Sequence, residues 1–165
     1  MRKILGGIVL FAGLFLACGY TVSSRIGTGK SESVLLTVFE NHTEPYQPGI
    51  EVFLYRAIAD ELRLSSYALT QNVNLADITL NGEILEYKQT VLSTDTNQTP
   101  TEIQVAVKIK LIISESSGAK NTYILTPKPE PFAVVKGETL EQAGQRALKN
   151  AAKLVIFKLG GESLQ

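Results

Sequence analysis

Gly27-Thr28-Gly29-Lys30-Ser31 carries the residue types of a phosphate-binding loop: glycines that admit an anion to the backbone N–H groups, a lysine and a hydroxyl. The spacing excludes that chemistry. The pattern needs a glycine five residues before Gly29, where Ser24 stands, and a strand before and a helix after the loop. A Gly/Ser/Thr-rich stretch precedes it instead, and a strand pattern follows. His42 is the only histidine, and Cys18 the only cysteine, so neither a metal site nor a Cys-His or Ser-His pair can be completed. Beside Asn41 in a turn, His42 reads as a solvated residue. Glu83 and Glu86 lie on an alternating strand pattern, three apart, which points them to opposite faces and rules out an acid–base pair. Asp60-Glu61 reads as a solvated helix face. Asn41-His42-Thr43 and Asn97-Gln98-Thr99 match a glycosylation sequon, but turn-forming asparagine explains both. The expectation is no enzyme, with no catalytic residue, no metal and no cofactor.

The chemistry left is at Cys18. Met1-Arg2-Lys3 is a short positive start, and Ile4 to Leu16 is an uncharged apolar run of thirteen residues. That is too short for a hydrocarbon core of ~30 Å, which takes roughly 20 helical residues. A basic start, a short apolar stretch and a small residue before a cut describe a signal peptide, here residues 1–17. A lone cysteine cannot close an internal disulfide, so its role follows from its place after Ala17. Phe15-Leu16-Ala17-Cys18 resembles the bacterial lipobox, which implies cleavage before Cys18 and thioether lipidation of its sulfur, with palmitate-like acyl chains. It departs from the commonest pattern at Phe15 and Leu16.

Cleavage leaves 148 residues, with 14 basic and 16 acidic side chains and a net charge of −2. No global affinity for polyanions follows. The charges are unevenly spread: residues 18–103 hold 5 basic and 11 acidic, residues 104–165 hold 9 basic and 5 acidic. Contact with an anionic ligand is expected in the second half.

The elements that would position these residues follow from periodicity. Residues 18–33 read as a tether. Val34–Phe39 is a compact β-branched run and predicts a buried strand ending in turn formers. From Pro48, Ile50, Phe53, Leu54, Ala57, Ile58 and Leu62 form one helical stripe, with Arg56 and Asp60 able to pair on the wet face. Strands are predicted at about Asp77–Lys88, at Glu102–Ser114 and at about Asn121–Thr126, with a flexible loop at Ser93–Thr101. In the long strand Ile103, Val105, Val107, Ile109, Leu111 and Ile113 share one face, worth of order 10 kcal/mol when buried. The prolines of 127–131 cannot continue a central strand. Glu138–Leu159 is a second helix with Leu140, Ala143, Ala147, Leu148, Ala151, Leu154, Val155 and Leu159 inward, ended by Gly160-Gly161. The order β-α-β-β-β-α predicts an α+β two-layer sandwich, a four-stranded sheet with two helices on one face, in a single domain at 34–161 with a tail at 162–165.

Two sets of cations then stand out. Arg146, Lys149 and Lys153 line one side of the last helix, as a contact for anionic lipid or lipid A phosphates or as a solvated face favourable to the helix dipole. Lys108 and Lys110 lie on the sheet face opposite the helices, with Gln104, Ala106 and Ile112. This face reads as a docking surface or a merely solvated antiparallel face.

The Cys18-Gly19-Tyr20 start, the strand VLLTVFEN (34–41) and the following helix are joined by Leu75-Ala76-Asp77 and Gly82-Glu83-Ile84. With the strand 102–114 and the Ala/Lys-rich last helix, the chain resembles the LptE family of lipopolysaccharide-assembly lipoproteins over roughly 19–160. The resemblance implies an outer-membrane lipoprotein, anchored on the periplasmic side, that plugs and helps assemble a β-barrel lipopolysaccharide translocon and binds lipopolysaccharide. Gly19 after the cysteine implies sorting to the outer membrane by the same analogy. Lys108, Lys110, Arg146, Lys149 and Lys153 are then the expected lipopolysaccharide contacts, and no nucleic acid is expected. The alternative is an unrelated periplasm-facing scaffold or binding lipoprotein of the cell envelope.

Overall fold

A computed structural model describes residues 32–133 and 139–161; the expected signal peptide, Cys18, the tether as far as Ser31 and the tail lie outside them. Among the described residues one mixed sheet has seven strands. The strands are β1 (Ser33–Leu36), β2 (Glu40–Asn41), β3 (Ala68–Thr70), β4 (Ile78–Thr94), β5 (Pro100–Glu115), β6 (Lys120–Leu125) and β7 (Glu130–Ala133). Helix α1 (Ile50–Leu64) follows β2, and α2 (Leu140–Leu159) ends the fold. The α+β class is as expected; the four-stranded sheet is not.

The extra strands have a common cause. The strand expected over the first apolar run stops at Leu36, and a separate two-residue strand, Glu40–Asn41, follows the run; β1 and β2 both pair parallel with β4. β3, joined to α1 by the three residues 65–67, pairs parallel with β1 at one edge. At the other edge β6 and β7 pair antiparallel with different lengths of β5. Pro127 and Pro129 lie between these two strands and Pro131 lies within the edge strand β7, where the missing N–H groups cost no central ladder bond. Three-residue strands carry no periodic signal to read. The sheet path is β3-β1-β4-β5-β6.

β4 and β5 run longer than the alternation predicts, to Thr94 and from Pro100. The expected loop at Ser93–Thr101 is therefore a tight turn. The Asp95 carboxylate closes it, accepting from the N–H groups of Asn97 and Thr99 at 2.8 Å each.

Both helices cover the same face of the sheet. Val34, Leu36, Ile78, Leu80 and Ile84 meet Ile103, Val105, Val107, Ile109, Leu111 and Ile113, and all are buried. Leu54, Ile58 and Leu62 of α1 and Ala147, Leu148, Ala151, Ala152 and Val155 of α2 close the core. The alanines give α2 a thin side, which lets the two helices sit side by side over the sheet. Phe53 and Leu140, expected inward, are 36% and 45% exposed. In α1 the pair on the wet face is Asp60–Arg63 at 2.8 Å in place of Asp60 with Arg56. Helix α2 starts with a capping box: Thr139 accepts from the Gln142 N–H, and the Gln142 side chain accepts from the Thr139 N–H at 2.9 Å.

Candidate functional site on the open sheet face

The face of the sheet away from the helices is built by the residues between the core positions of β4, β5 and β6. A bulge decides its chemistry. Ile84 pairs with Ile109 but Glu86 pairs with Lys108, so Leu85 is an extra residue in β4. One extra residue inverts the alternation from there on. Tyr87 falls opposite buried Val107, on the helix side, and Glu86 falls on the same open face as Glu83. The expectation that the two glutamates face opposite ways is thus overturned: strict alternation fails where the bulge intervenes.

The bulge matches each glutamate to a lysine. Glu83 stands opposite Lys110 and Glu86 opposite Lys108 in the antiparallel register. Lys110 Nζ donates to Glu83 Oε1 at 2.7 Å, with the two side chains 34% and 24% exposed. That hydrogen bond holds the Glu83 carboxyl below the usual carboxylate range; burial opposes it, and the positive charge of Lys110 adds to it. Beside this row Ile124 of β6 lies opposite Lys110, and Ile112 lies opposite Asn81 and Thr122. Ile124 is 54% exposed. The open face is therefore amphipathic: Glu83 and Glu86 stand opposite Lys110 and Lys108, Lys88 falls on the same side opposite Ala106, and two isoleucines lie beside the row.

Lys108 and Lys110 do share one face, as the spacing predicts, and Ile112 is with them. Arg146, Lys149 and Lys153 are exposed on α2, which lies on the other side of the sheet. The five cations thus form two separate groups. Lys149 borders a groove between the helices with Phe53, Ala57, Leu64 and Gln145, a mixed apolar and polar lining. His42 contacts Glu40 at 3.1 Å in the turn and meets no second imidazole or thiol. Among the described residues no cluster of His, Cys, Asp or Glu could hold a metal ion. No helix among them is long and apolar enough to cross a membrane.

Ile124 and Lys88 are members of this face that the sequence did not single out, and Glu83 and Glu86 were expected on opposite faces. Ile124 was legible as a strand residue, but its face depended on pairing with β5. The Glu83/Glu86 placement depended on a bulge that no residue type announces.

A family model described as lipopolysaccharide-assembly, LptE, matches residues 31–159. No curated protein matches. The fold is similar to a minor lipoprotein from Acinetobacter baumannii, at 17% identity and a TM-score of 0.52, covering 79% of this chain and 93% of that one. It is also similar to a hypothetical protein from Chlamydia trachomatis, at 12% identity and a TM-score of 0.51, covering 79% and 97%. A rare lipoprotein B from Shewanella oneidensis aligns at 12% identity and a TM-score of 0.47, over 77% and 94%. The match over 31–159 spans both helices and every strand described above, and the chain belongs to the lipopolysaccharide-assembly family LptE.

Proposed function

We propose that this protein is an outer-membrane lipoprotein, held on the periplasmic side by acyl chains on Cys18. It plugs and helps assemble a β-barrel lipopolysaccharide translocon and binds lipopolysaccharide on its way to the surface. Family membership over the whole folded region carries the reading. The open sheet face supports the binding half of it. Lys108 and Lys110 project on one side of β5, roughly 7 Å apart along the strand. Ile112 and Ile124 beside them suit acyl chains, and the two ammonium groups suit a phosphorylated head group. Glu83 and Glu86 then act as counter-ions that a phosphate must displace, which keeps the contact weak and salt-sensitive.

Two measurements test this. Extraction of outer membrane with detergent should recover the protein with a stoichiometric β-barrel partner; recovery without one supports an envelope scaffold instead. For the ligand, the double change Lys108→Gln, Lys110→Gln should weaken lipopolysaccharide binding several-fold at low salt and less at high salt. Neutral glutamine is the right replacement, because charge reversal would oppose Glu83 and Glu86 with like charges and strain the sheet. Unchanged binding would move the site to Arg146, Lys149 and Lys153.

A further inference from the structure

Past Leu85 the outer edge of β4 has no strand partner among the described residues. β1 pairs with residues 78–80 and β2 with Glu83 and Ile84, and the chain then leaves the sheet for α1. β4 itself runs on to Thr94, held on its inner side by β5. Residues 89–94 are all exposed, Val91 at 48% and Leu92 at 46%.

Two observations fix which backbone groups this edge presents. The Ile84 carbonyl accepts from the His42 N–H at 2.9 Å, so Ile84 turns its polar groups outward, away from β5. Pro131 of β7 stands opposite Gln104 and has no N–H, so Gln104 turns its own groups to β4, in a bonded pair with Thr90. Bonded and non-bonded pairs alternate along an antiparallel ladder. Alternation from either end gives the same result. Glu86, Lys88 and Thr90 bond to β5, while Tyr87, Gln89 and Val91 each present an N–H and a C=O to the outside. No turn, cap or loop bond reaches those three among the described residues.

The other edges are guarded. β3 has three residues, β7 carries Pro131, and β6 lies between Lys120 and Pro127. Short strands, prolines and charges are the usual devices against edge pairing. Residues 87–94 contain one charge, Lys88, and no proline. Beside them, on the helix side, lies a cavity of about 280 Å³ whose lining includes Tyr87, Gln89, Gln47, Phe53, Glu141 and Leu148. It is apolar at Phe53 and Leu148 and polar at Gln89 and Glu141.

We propose that the edge at Tyr87, Gln89 and Val91 takes an extended segment of the β-barrel partner as an added strand, with one large side chain of that segment in the cavity. The assignment rests on the reading of this chain as a barrel's partner, and names the edge through which the two join. Outward N–H and C=O groups at strand spacing match one kind of occupant, another extended main chain. A residue paired with Gln89 shares its face, so its side chain points to the helix side, over the cavity. An apolar body with a hydrogen-bonding tip suits that lining, as tyrosine, tryptophan or arginine provides. A closed barrel has no free strand edge, so the segment comes from chain that leaves the barrel wall.

Hydrogen exchange tests this on the full chain, alone and in the complex extracted from outer membrane with detergent, read residue by residue by fragmentation mass spectrometry. In the protein alone the amides of Lys88 and Thr90 should exchange slowly and those of Gln89 and Val91 quickly. In the complex Gln89 and Val91 should slow about tenfold or more, while Thr122, on the outer edge of β6, stays as it was. Gln89→Pro removes an outward N–H and no bond to β5, so the thermal midpoint should hold while recovery of the barrel falls about tenfold. Gln89→Ala, which keeps the N–H, and Thr122→Pro on β6 should both retain the partner. The exchange rates come from the unmutated chain, so they decide even where Gln89→Pro lowers the midpoint. A recovered barrel with Gln89 and Val91 exchanging as fast as in the free chain overturns the inference and leaves the barrel reading intact. So does slowing in the protein alone that grows with its concentration, which makes a second copy the occupant. Recovery without any barrel overturns the proposed function, and this inference with it.

Discussion

The Lys110 ammonium and the Glu83 carboxylate meet at 2.7 Å across the β4–β5 ladder, on the sheet face that no helix covers. The bond makes Glu83 a reporter for that face. Its carboxyl is held below the ordinary range, so any stability it lends is fully present above the ordinary glutamate value of about 4.3. That contribution is lost as the pH falls through the lowered value. A carboxyl-detected NMR titration should find Glu83 titrating at lower pH than an exposed glutamate. In Lys110→Gln its midpoint should rise toward the ordinary value; no movement would show that the pair is not formed in solution.

Gly82 lies under the ring of Phe39, which is 1% exposed. A Cβ there would meet the Lys110 carbonyl oxygen at 2.1 Å and Phe39 Cε1 at 2.7 Å. The carbonyl is backbone and cannot move without breaking the ladder. Gly82→Ala should therefore lower stability by about 3 kcal/mol or more, at the upper end for overpacking. Urea denaturation measures it, and a loss under about 1 kcal/mol would refute the packing of Phe39 on β4.

Gly144 of α2 faces the Tyr87 hydroxyl, which a Cβ would approach to 1.9 Å. Here the obstacle is the tip of a side chain. Gly144→Ala should cost about 1–3 kcal/mol, and adding Tyr87→Phe should recover much of that cost by removing the oxygen. A double-mutant cycle reads the coupling; strict additivity would place Tyr87 elsewhere and, with it, the bulge at Leu85.

Val107 is 2% exposed beneath the helices, while neighbouring Lys108 is on the open face. Val107→Asp would bury an unpaired carboxylate and should cost several kcal/mol, enough to unfold the domain. Lys108→Gln should leave the thermal midpoint nearly unchanged. Equal melting of Val107→Asp and the native protein would invert the assigned faces of β5.

Much of this was written in the residues themselves. The strict alternation from Ile103 to Ile113 fixes which side of β5 is core, because a period of two has only two possible faces. The stripes of Ile50, Leu54, Ile58 and Leu62 and of Ala143, Ala147, Ala151 and Val155 fix which sides of α1 and α2 turn inward, for the same reason at a period of 3.6. Lys108 and Lys110 share a face by that arithmetic alone. What the tertiary structure decided lay wherever a residue's role depends on a partner distant in sequence. β2, β3 and β7 are too short to carry a period, and exist because β4, β1 and β5 offer them ladder bonds. The extra residue at Leu85 turns Glu86 to the side of Glu83 and Tyr87 to the side of Gly144, which sets a glutamate opposite each of Lys108 and Lys110. Local propensity is summed along the chain, but a bulge and an ion pair are settled across it, between strands whose register only the assembled sheet defines.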